Sequence, residues 1–201
     1  MKYKAIGFDY GVVINGLPGI LFNRQFCELV GITDDQYRDT YFTHNKKVNR
    51  GEITWEELWH LVLADLHKPE KLKDVMALQD EFFKADINMP ILELIDELRL
   101  QGYKTGLLSN NTSETAAEMR RQGIDMHFDV FHVSGETGLV KPEPEAFLHL
   151  AEALDVDIKE LIFIDDANKS LETAEQCGFT PILFESYEQL HEQLTQMNVL
   201  K

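Results

Sequence analysis

The sequence predicts an α/β fold built on a parallel sheet, with one helical segment inserted near the N-terminus. Five short apolar runs, rich in β-branched and aromatic residues, predict buried strands at 3–8, 103–108, 128–133, 161–164 and 180–184. Helical patterns separate the last four runs. Strands that alternate with helices pair in parallel through right-handed crossovers, so we expect helices on both faces of the sheet. The stretch 17–86 interrupts this rhythm, because it contains no convincing strand.

The composition limits the classes of partner. With 201 residues, of which 44% are hydrophobic, the chain is long enough for one sizeable core and a small second unit. Its 19 basic and 35 acidic residues give a formal charge of −16, which repels phosphate backbones and anionic lipid surfaces. We therefore expect neither nucleic acid nor a membrane as a partner. A small anionic substrate is compatible with this charge, because local cations, helix N-termini or a metal reverse its sign inside one pocket.

The cysteines and the N-terminal residues favour a cytoplasmic location. Cys27 and Cys177 lie far apart and form no CxxC pair, so the sequence indicates neither a disulfide framework nor a zinc site. The apolar stretch near the N-terminus is short and is interrupted by Asp9, which fits neither a signal peptide nor a membrane anchor.

The segment 17–86 follows the first strand and is predicted to form four helices. Their patterns lie at 21–32, 34–42, 54–67 and 69–83. Thr54 and Glu57 have the spacing of a capping box, which starts the third helix. Trp55 and Trp59 share one face of that helix, and packing within the segment is favoured over a binding role. The chain is thus expected to divide into a core, 1–16 and 87–201, and a helical subdomain, 17–86.

The rest of the chain returns to alternating strands and helices. Asn88 is a candidate N-cap for a helix whose apolar stripe begins at Ile91. Further helices are predicted at 112–122, 143–154 and 168–177, the last ending before Gly178 as a C-cap.

Three sites of polar chemistry directly follow predicted strands. Asp9 follows the first strand, Ser109 opens the loop after the second, and Asp165 and Asp166 follow the fourth. Each feature alone also fits a turn or a helix cap. Two adjacent carboxylates after an apolar strand repel each other, however, and a divalent metal keeps both ionised.

Two further features point to an anion. The Ser109 hydroxyl and the backbone N–H groups of Asn110 and Asn111 precede a helix, which is the arrangement of an anion site. Lys141 lies before Pro142 in a loop of the same half of the chain, where a solvated lysine is the alternative. Because ligands of parallel sheets bind beyond the carboxyl ends of the strands, these groups should converge. Together they describe a phosphoryl-transfer site.

These motifs, in this order and spacing, resemble those of the haloacid dehalogenase (HAD) superfamily. The residues that carry the resemblance are Asp9 in "FDYG", Ser109 in "LLSNN", Lys141 in "VKPEP" and the pair Asp165 and Asp166 in "FIDDAN". The resemblance spans essentially the whole chain. It implies a Rossmann-like core with a helical cap inserted after the first strand, where segment 17–86 lies.

The resemblance also implies a mechanism and a metal. Asp9 would be the nucleophile that forms an aspartyl-phosphate, and Mg²⁺ would be held by Asp9, the carbonyl of Gly11 and Asp166. Asp165 would assist at the metal through water or hydrogen bonds. The phosphoryl oxygens would be held by Ser109 and Lys141, with Asn110 beside them. The expected partner is a small phosphorylated metabolite.

Gly11 departs from the pattern of most phosphatases in the family, which carry a second aspartate at this place as acid and base. The carbonyl ligand survives this change, but the proton donor is lost, a role generally worth about 10²–10⁴ in rate. A glycine here and a cap segment like "NRGEITWEEL" at 49–58 are similar to the family's sugar-1-phosphate phosphatases.

Three functions therefore stay open. The first is an Mg²⁺-dependent phosphatase whose leaving group is good or whose proton comes from elsewhere. The second is another chemistry of the family, such as dehalogenation. The third is a catalytically impaired protein that binds or regulates. On the substrate side, the clustered His44, Lys46, Lys47 and Arg50 are expected to present at least one cation, with a solvated helix end as the alternative.

Overall fold

The sheet has five strands, all parallel, in the order β3-β2-β1-β4-β5. The computed structural model describes residues 2–16, 19–83 and 87–200. The strands are β1 (Ala5–Phe8), β2 (Lys104–Ser109), β3 (Val130–Val133), β4 (Leu161–Asp165) and β5 (Thr180–Leu183). Each lies on one of the predicted apolar runs, so the α/β class with a parallel sheet is confirmed.

The register of the sheet decides which residues meet at its carboxyl edge. Phe8 of β1 is level with Leu107 of β2 on one side and with Ile164 of β4 on the other. Asp9 follows Phe8, and its N–H donates to the carbonyl of Ile164 at 2.9 Å. The ends of these three strands therefore lie side by side. The strand order also reverses between β1 and β4, which is where ligands bind in open parallel sheets.

Helices cover both faces of the sheet because successive strand residues point to opposite sides. One face packs against α5 (Met89–Leu100), α6 (Ser113–Arg121) and α11 (Tyr187–Gln196) in a cluster that includes Phe8 and Ile95. The other face packs against α8 (Pro144–Ala153) around Phe147 and Phe163. Gly7 is required there, because a Cβ at this position would lie 2.5 Å from the Phe163 ring.

Between β1 and β2, the four helices that precede α5 form a layer of their own, which we call the helical insert (residues 19–83). They are α1 (Gly19–Val30), α2 (Asp34–Asn49), α3 (Trp55–Asp65) and α4 (Leu72–Phe83), the last preceded by a 3₁₀ turn (Pro69–Lys71). Complete capping boxes begin α2 and α3. The insert has its own apolar cluster, centred on Phe26, Tyr37 and Trp59. That it acts as a cap with boundaries at 17 and 86 stays a prediction, and both boundary residues lie outside the described residues.

Two of the predicted helices differ from the observed ones. The single helix expected at 168–177 is two short helices, α9 (Asn168–Leu171) and α10 (Ala174–Cys177). The break falls at Thr173, whose hydroxyl donates to the carbonyl of Pro142 at 2.9 Å, so a tertiary contact overrides the local helical pattern. The second helix of the insert continues to Asn49, beyond the predicted end at residue 42.

Short elements complete the core. They are α7 (Ser134–Thr137) and two 3₁₀ turns (Ile124–His127 and Ile158–Glu160). Within the described ranges, every helix is too short or too polar to cross a lipid bilayer.

Candidate active site

Lys141 lies at the centre of a buried cluster of carboxylates beyond β1 and β4. Its Nζ atom is 2.7 Å from Oδ1 of Asp9 and 2.5 Å from Oδ2 of Asp165. The side chains of Lys141 and Asp165 are at most 2% exposed. The structure thus brings together two groups at the ends of adjacent strands and one from the loop before α8, as the sequence predicted for converging motifs.

The environment shifts the pKa values of these groups. Burial raises the pKa of Asp9, and the nearby charge of Lys141 opposes that rise. Burial also acts to lower the pKa of Lys141, but the charges of Asp9 and Asp165 outweigh it, so this pKa is raised. The Lys141 ammonium consequently stays protonated near neutral pH.

Asp165 and Asp166 are adjacent in sequence but differ in their surroundings. Asp165 uses both oxygens within the protein, since Oδ1 accepts from the N–H of Ala167 at 2.9 Å and Oδ2 accepts from Lys141. Asp166 is half-buried and forms no ion pair with the described residues. Burial, followed by the charge of Asp165, raises the pKa of Asp166 to about 6. Asp166 is therefore a carboxylate that lacks a cation.

This group of residues fits a hard divalent cation. Ligand oxygens of Asp9, Asp165 and Asp166 all lie within 4.8 Å of one another. When all three carboxylates are ionised, Lys141 leaves two negative charges uncompensated in a buried place, and a divalent ion would balance them. Carboxylate and carbonyl oxygens are the donors that Mg²⁺ prefers. Asp9, Asp166 and the Gly11 carbonyl are the groups available to hold it, whereas both Asp165 oxygens are already engaged.

Gly11 lies in a tightly held loop that follows the strand. Its carbonyl accepts from the N–H of Val13 at 2.5 Å, which leaves a second lone pair on that oxygen. Val12 has a φ of 58°, a strained value for a β-branched residue, and its N–H donates to Oδ1 of Asn15 at 3.0 Å. The Asn88 side chain donates to the Val13 carbonyl at 3.2 Å. The predicted N-cap residue thus anchors this loop and makes no side-chain cap of its own.

In the loop after β2, some of the predicted anion-binding groups are free to bind a ligand and one is engaged within the protein. Ser109 is 1% exposed, and its hydroxyl accepts from the Asn111 side chain at 3.1 Å. The N–H of Asn111 was expected to face the ligand, but it donates to Oγ of Ser134 at 3.0 Å. The helix itself starts later, with Thr112 as the N-cap. The Asn110 N–H is the backbone donor that stays available.

Asn110 has a second role that the sequence did not reveal. Its side-chain amide donates to the Lys141 carbonyl at 2.8 Å and accepts from the Lys141 N–H at 2.9 Å. This paired contact fixes the backbone of the lysine across a gap of 31 residues. An asparagine after a strand signals only a turn or a cap, so no local pattern could have indicated it.

A cavity of about 380 Å³ opens between this cluster and the helical insert. Gly11, Val12, Asn15 and Asp166 line it on the side of the sheet. The insert contributes seven aromatic side chains to its lining, namely Phe22, Tyr37, Tyr41, Phe42, Trp55, Trp59 and Phe82. Of the three carboxylates of the cluster, Asp166 thus faces the same space as the aromatic rings.

The lining differs from two sequence predictions. Trp59 packs inside the insert as expected, yet it and Trp55 also line the cavity. The cations expected on the substrate side are absent from the described lining. Instead, His44 pairs with Asp65 at 2.7 Å and Arg50 with Glu143 at 2.6 Å. Lys46 and Lys47 lie in the last turn of α2, a favourable place for positive charge.

Comparison with known families agrees with this geometry. The sequence model of the haloacid dehalogenase-like hydrolases matches residues 3–178. The chain belongs to this family. The match includes Asp9, Ser109, Lys141, Asp165 and Asp166, so every motif that carried the resemblance lies within it.

Among curated relatives, the chain is similar to bifunctional epoxide hydrolase 2 of Mus musculus, with 26% identity over 91% of this chain. The aligned region covers 36% of the mouse protein, so this chain spans only part of that relative's length. A phosphatase of Mycobacterium tuberculosis is 34% identical over 44% of this chain and 42% of its own.

A solved HAD family enzyme from Bacteroides thetaiotaomicron has a similar structure. It matches with a TM-score of 0.71 and 25% identity over 94% of this chain and 98% of its own. That enzyme was crystallised as a complex with magnesium and inorganic phosphate. The fold and the family are thereby established for this chain.

Proposed function

We propose that this protein is an Mg²⁺-dependent phosphatase that hydrolyses a small phosphate monoester through an aspartyl-phosphate on Asp9. The observation that carries the proposal is the buried cluster in which Lys141 lies 2.7 Å from Asp9, with the Asp165 and Asp166 carboxylates within 4.8 Å. A phosphatase relative and a relative crystallised with magnesium and phosphate support it. The partner is a small phosphorylated metabolite, for which a sugar phosphate is one candidate.

The reaction takes place in two displacements. In the first, a carboxylate oxygen of Asp9 attacks phosphorus, the bond from phosphorus to the ester oxygen breaks, and the departing oxygen takes a proton from water. In the second, water attacks the phosphoryl group, the bond from phosphorus to Asp9 breaks, and the water proton is released. The sum converts ester and water into alcohol and inorganic phosphate, and it returns Asp9 as a carboxylate.

The other residues position the reacting groups and offset the negative charge of the phosphoryl group. Lys141 offsets the charge of the phosphoryl oxygens, and its contact with Asp9 fixes the orientation of the nucleophile. The Ser109 hydroxyl and the Asn110 N–H supply further donors to the phosphoryl group. When bound by Asp9, Asp166 and the Gly11 carbonyl, Mg²⁺ would supply positive charge toward the transferring group. Asp165 acts as a positioning residue, because it holds Lys141 in place.

The decisive experiment measures phosphate release from p-nitrophenyl phosphate with and without Mg²⁺. We expect metal-dependent turnover in the unmodified protein. Asp9→Asn should abolish it, because an amide is a poor nucleophile, while the exposed control Asp35→Asn should keep full activity. Retention of more than about a hundredth of the rate in Asp9→Asn would reject covalent catalysis at Asp9. Metal-free activity on 2-chloropropionate would instead support dehalogenation.

A further inference from the structure

The aromatic side of the cavity gives information on the substrate, and this step rests on the proposed function. We infer that the preferred substrate is a phosphate monoester of a neutral phenol, with the phosphate at the carboxylate cluster and the ring among the aromatic side chains of the insert. Three features favour such an ester over a sugar phosphate. They are the chemistry of the cavity lining, the way in which the aromatic rings are held, and the absence of an acid at Gly11.

The rings form a prearranged stack. Trp55 and Trp59 are stacked with centroids 6.1 Å apart, and Tyr41 stacks on Trp59 at 5.9 Å. Phe22 lies 5.5 Å from Trp59 and meets Phe82 edge to face at 5.2 Å. Because each ring is held by its neighbours, little side-chain freedom is lost when a flat ligand enters. Stacked and edge-to-face contacts would then be available to a ligand ring.

The described lining has fewer polar side chains than aromatic ones, namely Asn15, Asn23, Gln79 and Asp166, with the Tyr37 and Tyr41 hydroxyls as further polar groups. Oε1 of Gln79 accepts from the Trp59 ring N–H, and Oδ1 of Asn15 accepts from the Val12 N–H. Asn23 is the lining amide with no hydrogen bond to the described residues. A sugar brings several hydroxyls, and each hydroxyl buried without a partner opposes binding. A neutral ring makes no such demand.

The charges of the lining also argue against an ionic leaving group. Apart from the tyrosines, Asp166 is the ionisable side chain that the described lining contributes, and it belongs to the metal-binding cluster. No lysine, arginine or histidine is present in the described lining to pair with a carboxylate on the substrate. The leaving group is therefore neutral.

Gly11 provides an independent line of support. It lies at the border between the carboxylate cluster and the cavity, and it provides no acid to protonate the departing oxygen. A phenolic oxygen leaves with a pKa of about 10, so it departs far more readily than an alkoxide without a proton donor. An aryl ester thus satisfies both the aromatic lining and the missing acid, whereas an anomeric phosphate satisfies only the second.

The experiment compares two phosphonates that the enzyme cannot hydrolyse, so binding is measured apart from activity. Phenylphosphonate carries the ring, and methylphosphonate carries only the anion. Each phosphonate is titrated into the protein in the presence of Mg²⁺, and calorimetry gives its dissociation constant. The protein has two tryptophans, Trp55 and Trp59, and both line the cavity, so tryptophan fluorescence reports where the ring binds. We expect phenylphosphonate to bind at least about tenfold more tightly and to quench this fluorescence.

A pair of variants locates the contact. Phe42 lines the cavity and is 55% exposed, so Phe42→Ala should leave folding intact. We expect it to weaken phenylphosphonate binding about twofold to tenfold and to leave methylphosphonate binding unchanged. Met126→Ala is the matched control, because Met126 is 77% exposed and lies outside the cavity lining. It should change neither constant.

Several outcomes would overturn the inference. These are equal affinity for the two phosphonates, an equal loss for both in Phe42→Ala, or stronger competition by glucose 1-phosphate than by phenyl phosphate in Asp9→Asn. The proposed function fails separately. If no ester is hydrolysed with Mg²⁺ while phenylphosphonate keeps its preference, phosphatase activity is rejected and the aromatic site is supported. If esters are hydrolysed without any preference for a ring, the aromatic site is rejected and phosphatase activity stands.

Discussion

The two adjacent aspartates at the end of β4 differ in the contacts that hold them. Asp165 is 1% exposed and uses both carboxylate oxygens within the protein, one on the Ala167 N–H and one on Lys141. Asp166 forms no ion pair with the residues that the structure describes, and it lines the cavity. Two consecutive aspartates thus have different surroundings, because successive residues at the end of a strand point to opposite sides.

This difference predicts opposite phenotypes. Asp166→Ala should lower Mg²⁺ affinity strongly with little loss of stability, because it removes a charged ligand that holds nothing else in place. Asp165→Ala should lower the free energy of unfolding by about 1–3 kcal/mol, since it removes one hydrogen-bond partner of the buried Lys141, which keeps Asp9 as its other partner. Titration calorimetry and urea unfolding on both variants test this. Equal Mg²⁺ affinities in the two variants would contradict the assignment.

Gly11 predicts how the rate depends on the leaving group. Gly11→Asp should raise turnover of alkyl phosphates more than that of p-nitrophenyl phosphate, because a restored acid helps most where the departing oxygen is most basic. A Cβ here would lie 3.3 Å from Oδ2 of Asp9, so the neighbouring carboxylate must shift by a few tenths of an ångström. Gly11→Ala is the control for this crowding alone.

The Gly11→Asp variant is informative only if calorimetry shows that it still binds Mg²⁺. A uniform gain across leaving groups would indicate faster hydrolysis of the aspartyl-phosphate. No gain on any ester would show that the proton already comes from another source, and the restriction to good leaving groups would have to be abandoned.

At the scale of elements, the sequence predicted what depends on local pattern. The three central strands were predictable because each is an apolar run buried on both faces, and the edge strands β3 and β5, although only partly buried, are short apolar runs as well. The converging ends of β1 and β4 were predictable because parallel strands share one carboxyl edge. The break at Thr173 was not, since it depends on a hydrogen bond to Pro142, 31 residues away.

The cavity escaped prediction for the same reason. Its aromatic side chains come from all four helices of the insert, and each helix alone shows only an ordinary apolar face. Trp55 and Trp59 therefore indicated packing, which is correct for both but incomplete, because both also line the cavity. How Asn110 braces Lys141 likewise depends on where two separate loops meet.

One contact between elements links the insert to the active-site loops. Gly51, in the turn before α3, approaches Gly135 of α7 so closely that a Cβ on Gly51 would lie 2.7 Å from the Gly135 carbonyl oxygen. A Cβ on Gly135 would in turn lie 2.7 Å from the carbonyl oxygen of Asn111. Nearby, Arg50 pairs with Glu143, two residues after Lys141. The insert thus packs against both loops that hold the proposed phosphoryl-binding groups.

Substitutions at Gly51 and Gly31 distinguish the effect of this contact on stability from the effect of a left-handed backbone. Gly51 and Gly31 both have left-handed φ values, 70° and 75°, but a Cβ on Gly31 would meet nothing within 4 Å. Gly31→Ala should cost about 1–2 kcal/mol of stability from the left-handed backbone alone. Gly51→Ala should cost more in urea unfolding and should also lower kcat/KM, because the insert must move away from α7. Equal effects of the two substitutions would show that the contact with Gly135 is unimportant.

The whole molecule has a formal charge of −16, so the candidate active site is one of many acidic regions of the protein. Exposed carboxylates are screened by water and salt, whereas Asp9 and Asp165 are buried at the carboxyl ends of β1 and β4. A cation bound there should therefore stabilise the folded state specifically, because the unfolded chain has no such arrangement of ligands.

This linkage predicts a thermal shift caused by Mg²⁺. At a free concentration about 100 times the dissociation constant, binding should add about 2.7 kcal/mol to the free energy of unfolding. For a chain of this size, each kcal/mol raises Tm by about 2–4 °C, so a rise of roughly 5–10 °C is expected. KCl at matched ionic strength controls for general screening of the negative charge, and Asp166→Ala controls for Mg²⁺ bound to surface carboxylates. If KCl raises Tm as much as MgCl₂ does, or if Asp166→Ala responds like the unmodified protein, the stabilising cation does not bind at this cluster, and Asp166 is not its ligand.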